Sequence, residues 1–188
     1  GEETASHDEG KKYLIRNASG NFFLKYDGTS LSAESRPNID ILLKDANLNQ
    51  YLWEFSGSGS PAKLKNSGSG KYLKIHALMG PSIADEGEDL NFVEASNGLN
   101  IYKYSGYLLY YSAGLAYYYF EEKDRGNVTN CWKLIPVEKK IDVERKLKDA
   151  LINFNKSNSS ITYIDQYGLP VTLEHICRND DVNIVINI

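Results

Sequence analysis

Cysteine is scarce in this chain. Two thiols, Cys131 and Cys177, in 188 residues cannot form the multi-bridge framework that staples a small secreted domain. They read either as two unpaired, mostly buried thiols, since free cysteine behaves as a small hydrophobe, or as one bridge tying the tail to the rest. Positive charge is not in excess either. A net charge of −4 and a pI near 5.4 leave no basic footprint, which argues against a nucleic-acid partner. No apolar run reaches the roughly 20 residues a membrane-spanning helix needs, so no transmembrane segment is expected. The three histidines, His7, His76 and His175, lie far apart, and no His/Cys spacing suggests zinc. A serine-nucleophile motif, a phosphate-binding glycine loop and a dinucleotide fingerprint are all missing. Gly68-Ser69-Gly70 is a turn with no helix after it. Acidic residues are plentiful but sit in turns, so no pair stands out as acid and base. The reading is a protein that is not an enzyme and takes no cofactor and no metal.

What is present is a repeat. Lys65–Leu73 reads Lys-Asn-Ser-Gly-Ser-Gly-Lys-Tyr-Leu, a turn leading into a strand. Arg16–Leu24 and the shorter Tyr102–Leu108 have the same form. Each copy is closed later by an aromatic in a short apolar run: Trp53, Phe92 and Trp132, spaced 39 and 40 residues apart. A period near forty built from short strands and glycine turns marks an internal repeat. Three copies favour a β-trefoil, because a four-stranded unit cannot bury its apolar face alone and three can share one barrel core. Leu24, Leu73 and Leu108 are then equivalent core residues, as are the three closing aromatics.

The expected organisation is a disordered leader over 1–11, a β-trefoil domain over 12–137 and a small α+β appendage over 138–188. The leader is polar and acidic without periodicity. Such a stretch fits a frayed end and equally a tether behind a lipid-modified cysteine. Within the trefoil, 40–49 is an insertion in the first repeat. The acidic run Asp85–Asp89 reads as a solvated hairpin turn, since it lacks the alternating oxygen spacing of a calcium loop. In the appendage, Val143, Leu147, Ala150, Leu151 and Phe154 fall at helical spacing and predict a helix over 142–154. Strands are expected at 161–164, 171–178 and 182–188. In the last, Val182, Ile184, Ile186 and Ile188 share one face.

Eight of the 14 tyrosines fall in the eighteen residues from Tyr102 to Tyr119. Many are ordinary strand residues. Alternation cannot bury all of them: Tyr110 with Tyr111, and Tyr117 with Tyr118, point to opposite faces. Some rings are therefore open to a ligand or a partner. Sugar rings stack on such platforms, and tyrosine clusters also make protein contact surfaces.

The repeats and their closing aromatics resemble the ricin-B-type β-trefoil lectins over about 12–137. Repeats of that family end in a Gln-x-Trp core motif. Asn130-Cys131-Trp132 is nearest to it, Gln50-Tyr51-Leu52-Trp53 carries one residue more, and the middle repeat has Phe92 and no Gln. The resemblance implies a mainly β, β-trefoil fold and a lectin-like, non-catalytic carbohydrate-binding module. The family's sugar sites combine an early Asp, an aromatic platform and a later Asn or Gln. Here that implies Asp27 with Phe22 or Tyr26, and Asn47 or Asn49, in the first repeat only. The tail Leu173–Asp180 followed by Val182–Ile188 resembles the closing strands of Bacteroidetes fimbrillin-like surface proteins. That implies a secreted or surface-anchored bacterial protein with a glycan or surface-protein partner. The alternative from a different class is an adhesive protein–protein module that uses the tyrosine-rich third repeat and the terminal strand.

Overall fold

The computed structural model describes residues 3–119, 121–138, 159–164, 168, 170–178 and 181–187. The chain divides into two compact units, Gly1–Val137 and Glu138–Ile188.

In the first unit, alternation turns each repeat into barrel wall. Lys12–Asn17 (β1) buries Tyr13 and Ile15 in the common core, and Leu52–Phe55 (β4) does the same with Trp53 and Phe55. These strands pair antiparallel, Tyr13 opposite Trp53. Beyond β4 lies Leu64–Asn66 (β5), with Trp53 opposite Asn66. Asn91–Ala95 (β8) pairs with Gly98–Lys103 (β9), β9 with Trp132–Val137 (β12), and β12 returns to β1. The remaining gap, between β5 and β8, is bridged where Ala62 and Leu90 exchange both main-chain bonds at 2.9 Å. With that single bridge the six strands come round into a ring. Three hairpins complete the repeats: Phe22–Tyr26 with Leu31–Ser35 (β2, β3), Tyr72–His76 with Gly80–Ala84 (β6, β7), and Gly106–Tyr111 with Gly114–Tyr119 (β10, β11). This is a mainly β, β-trefoil architecture.

The register shows the repeats as equivalents. Asn17 lies opposite Trp132, Asn66 opposite Trp53, and Ile101 opposite Phe92. Leu24, Leu73 and Leu108 are all fully buried in the shared core with the three aromatics. Trp53 Nε1 donates to the Leu24 carbonyl at 3.0 Å, and Trp132 Nε1 to the Leu108 carbonyl at 2.9 Å. Each indole thus locks its own repeat's hairpin to its closing strand; Phe92 has no such donor. The turn asparagines repeat a second device. Asn17 Nδ2 donates to the Thr129 carbonyl (3.0 Å) and Asn66 Nδ2 to the Gln50 carbonyl (2.9 Å). Their Oδ1 atoms accept from the amides of Ser19 and Ser69. Buried amides are costly unless paired this way.

The first-repeat insertion is ordered. Asn38 Oδ1 accepts from the Asp40 and Ile41 amides and caps a short helix, Ile39–Leu43 (α1), which buries Leu42 and Leu43. Residues 3–11 were expected as a disordered leader and instead lie against the barrel, with Thr4 bridged to Leu134 and His7 buried. In the acidic run, Glu88 accepts from the Ile75 amide at 2.6 Å and pairs with Lys103 at 3.2 Å. Cys131 is a free, buried thiol; Cys177 has no described side chain.

In the second unit, Ser159–Ile164 (β13), Pro170–Arg178 (β14) and Asp181–Asn187 (β15) form an antiparallel three-stranded sheet in sequence order. The expected helix over 142–154 lies outside the described residues.

Candidate functional site

The first-repeat trio does not gather around an open ring. Phe22 is half-buried: it stacks on Tyr110 with centroids 4.1 Å apart and planes at 16°. Tyr26 is buried, and its hydroxyl donates to the Gly28 carbonyl at 3.0 Å. Asp27 caps its own turn, Oδ1 accepting from the Ser30 amide at 2.7 Å and the Thr29 amide at 2.8 Å. Those two bonds, Ser30's first, hold its carboxyl below the ordinary carboxylate range. Asn47 and Asn49 are exposed; Asn47 donates its amide to Asp45 Oδ1, and the Asn49 carbonyl accepts from Gly68 N.

An ionic network occupies this side of the repeat. Buried Tyr51 donates its hydroxyl to Glu34 Oε2 and accepts from Arg36 Nη1 at 2.9 Å. Lys25 pairs with Glu34 at 2.9 Å and Arg36 with Asp45 at 3.0 Å. The two cations stand 5.1 and 5.3 Å from the Tyr51 ring centre. Burial and the bond to Glu34 push the phenol's pKa up. The Tyr51 hydroxyl, then Lys25, pull Glu34's down. Sequence reasoning missed this cluster. Its signal was available in the hairpin: Lys25 is opposite Ser32 and Phe23 opposite Glu34, so Lys25 and Glu34 are diagonal neighbours on one face.

The third repeat presents open rings. As alternation requires, Tyr110 and Tyr117 pack against the core while Tyr111 (58% exposed) and Tyr118 (52%) face outward. The outward pair meets edge to face, centroids 5.8 Å apart at 85°. Tyr117 is fixed by its hydroxyl, which donates to the Lys103 carbonyl at 2.9 Å, and by Gly106. A Cβ at Gly106 would fall 2.5 Å from Tyr117 Cζ, so only glycine lets the ring lie there. Tyr107 stands opposite Tyr118 in the register and donates its hydroxyl to the Glu121 carbonyl at 2.9 Å. Burial raises the Tyr107 pKa, helped by the nearby Glu122 carboxylate. The loop after β11 is thus tied to the hairpin through the Glu121 carbonyl, and its side chains pair among themselves. Glu121 pairs with Lys123 (3.0 Å), Glu122 with Arg125 (3.2 Å), and Asn127 Nδ2 donates to Asp124 Oδ1 (3.3 Å). Tyr104 and Tyr119 are also exposed. Of the residues singled out in the sequence, Tyr111 and Tyr118 are brought together in the open, and Phe22 and Tyr110 are brought together half-buried.

Solved proteins similar to this chain include a lectin and part of a glycosidase. A ricin B-like lectin of Macrolepiota procera, in complex with lactose, is 14% identical with a TM-score of 0.54; the match covers 68% of this chain and 96% of the lectin. The GlcNAcα1-4Gal releasing endo-β-galactosidase from Clostridium perfringens is 21% identical with a TM-score of 0.56, over 69% of this chain and 33% of the enzyme. The chain thus spans about a third of that enzyme's length. No family model and no curated protein sequence matches the chain. At these identities the likeness establishes the fold, and the fold is of the ricin-B type.

Proposed function

We propose that this protein is a non-catalytic carbohydrate-binding module whose sugar site is the outer face of the β10–β11 hairpin with the loop 121–127. The observation that carries the reading is the solvent-exposed, edge-to-face pair Tyr111–Tyr118 on a ricin-B-type trefoil. A pyranose lays its CH-rich face on one ring, with polar groups at the edge of the hairpin left to meet its hydroxyls. A few placed polar groups beside an aromatic wall are the usual make-up of such a site. Two comparisons support the reading. A lectin of this fold was solved with lactose, and the glycosidase match takes in only a third of that enzyme, as an attached binding module does. Glycans as ligands suit an extracellular or cell-surface protein. Screening a glycan array with folded protein, then titrating the hits by calorimetry, tests the proposal. Saturable binding at or below millimolar concentration is expected, and no binding by any glycan rejects it.

The protein–protein reading rests on a different observation. Among the described residues, β15 pairs only with β14 and lies at the sheet's edge, open to strand addition. Deleting 182–188 should then abolish assembly while the trefoil stays folded.

A further inference from the structure

Residues 3–11 cross the barrel strands and are fastened at four points besides His7. Thr4 exchanges main-chain bonds with Leu134 at 2.8 and 3.0 Å. Glu3 takes Arg16 in a two-pronged pair, at 2.8 Å from Nε and 3.0 Å from Nη2. The Asp8 amide donates to the Tyr13 hydroxyl at 2.8 Å, and the Glu9 amide to Ser58 Oγ at 3.4 Å. Between these anchors His7 is 7% exposed. Its ring lies flat on Phe55, centroids 3.9 Å apart at 18°, and meets Phe92 edge-on at 5.4 Å. Its Nε2 is 2.9 Å from the Gly59 carbonyl. A carbonyl only accepts, so in the neutral ring Nε2 carries the proton and Nδ1 has none.

A second proton would put a cation in this aromatic socket. The groups around the ring offer it little. On its own segment stands Asp8, already paired with Lys11 at 3.0 Å. From β1 comes the Tyr13 hydroxyl, which already accepts from the Asp8 amide. From β4 and β8 come Phe55 and Phe92, and from the connector 57–61 come the Gly57 and Gly59 carbonyls. The attraction of Phe55 for an imidazolium offsets only part of the lost hydration.

We propose that residues 3–11 form a pH-sensitive strap, clasped by neutral His7 and released when that ring is protonated. Burial lowers the His7 pKa more than Asp8 and the carbonyls raise it, in keeping with this geometry. His7's contribution to docking is complete above the ordinary value of 6.5 and is lost as pH falls below it toward the docked value, which loosens the strap against its remaining anchors. Release strips Glu9 and Gly10 from one side of an open groove of about 230 Å³, whose other walls include Glu54, Phe55, Lys65 and Tyr72. It also bares Phe55 and Phe92. Acidification thereby exposes a surface that neutral pH keeps covered.

The test is backbone ¹⁵N relaxation of residues 3–11 at pH 7.5 and pH 5.0, where free carboxylates are still mostly charged, on wild type and His7→Phe. The expected result is barrel-like order at pH 7.5, loss of order in wild type at pH 5.0, and order kept in His7→Phe at both. A wild-type strap equally ordered at both pH values, or a variant that loosens in parallel with wild type, overturns the proposal. Should the phenylalanine ring not seat, direct titration of the wild-type His7 ring decides. Loss of strap order whose midpoint follows the ring's titration upholds the proposal, and order kept through that titration overturns it.

Discussion

Trp132→Phe gives the third repeat the closing residue that the second repeat already has. Trp132 is fully buried, and its Nε1 holds the Leu108 carbonyl at 2.9 Å. Removing the indole leaves that carbonyl without its side-chain donor, which costs about 1–3 kcal/mol. The smaller ring also leaves a void. Full truncation of such a side chain costs ~3–5 kcal/mol, and the lesser change to phenylalanine takes about 1–2 kcal/mol of it. The sum, roughly 2–5 kcal/mol, is a large part of the ~5–15 kcal/mol that holds a domain folded. The assay is guanidinium unfolding, followed by Trp53 fluorescence and far-UV circular dichroism, with the slope checked for constancy. Trp53→Phe should lose a similar amount, because its Nε1 holds Leu24 in the same way. A loss below about 0.5 kcal/mol, the level of an ordinary surface substitution, would refute the claim that the indoles lock hairpin to closing strand.

Other consequences can be checked in parallel. Asn66→Ala removes the bonds to Gln50 and Ser69 from a fully buried position; a loss of about 1–3 kcal/mol in thermal or chemical unfolding is expected. Glu34's carboxyl is depressed by the Tyr51 hydroxyl and Lys25. Its stabilising contribution is therefore present above the ordinary 4.5 and lost as pH falls through the folded value. Tyr51→Phe should flatten the acid limb of the stability–pH curve, and an unchanged limb between pH 5 and pH 2 contradicts the network. Tyr118→Ala and Tyr111→Ala should each weaken glycan binding by about tenfold or more, ~1.4 kcal/mol, with the melting temperature unmoved, as calorimetry and thermal scans can show.

The trefoil was legible because its signals are local and recur: a glycine turn, a leucine two strands' reach from an aromatic, and the same spacing again. Leu24, Leu73 and Leu108 landed in one core with Trp53, Phe92 and Trp132, since volume and alternation alone place them there. Alternation also sorted Tyr110 from Tyr111 and Tyr117 from Tyr118 correctly. What escaped depended on register or on non-local sockets. The five residues of α1 are too few to show a helical period. The Lys25–Glu34–Tyr51–Arg36 cluster exists only once β2 and β3 are aligned and residue 51 folds back over them. Asp27's role in its own turn was hidden, because nothing in the sequence says that two amides will claim its Oδ1. The leader's polar composition argued for disorder, yet one histidine that finds Phe55 and Phe92, with Thr4 pairing to Leu134, docks a segment that has no core of its own.

A sugar held by the third repeat must perturb that repeat's own amides. Mapping amide chemical shifts during titration with lactose, or with the leading array glycan, tests it most directly. Saturable changes concentrated in 107–127 are expected. Changes confined to the Lys25–Tyr51 region, or none at ligand concentrations where the folded protein is known to bind, would contradict it.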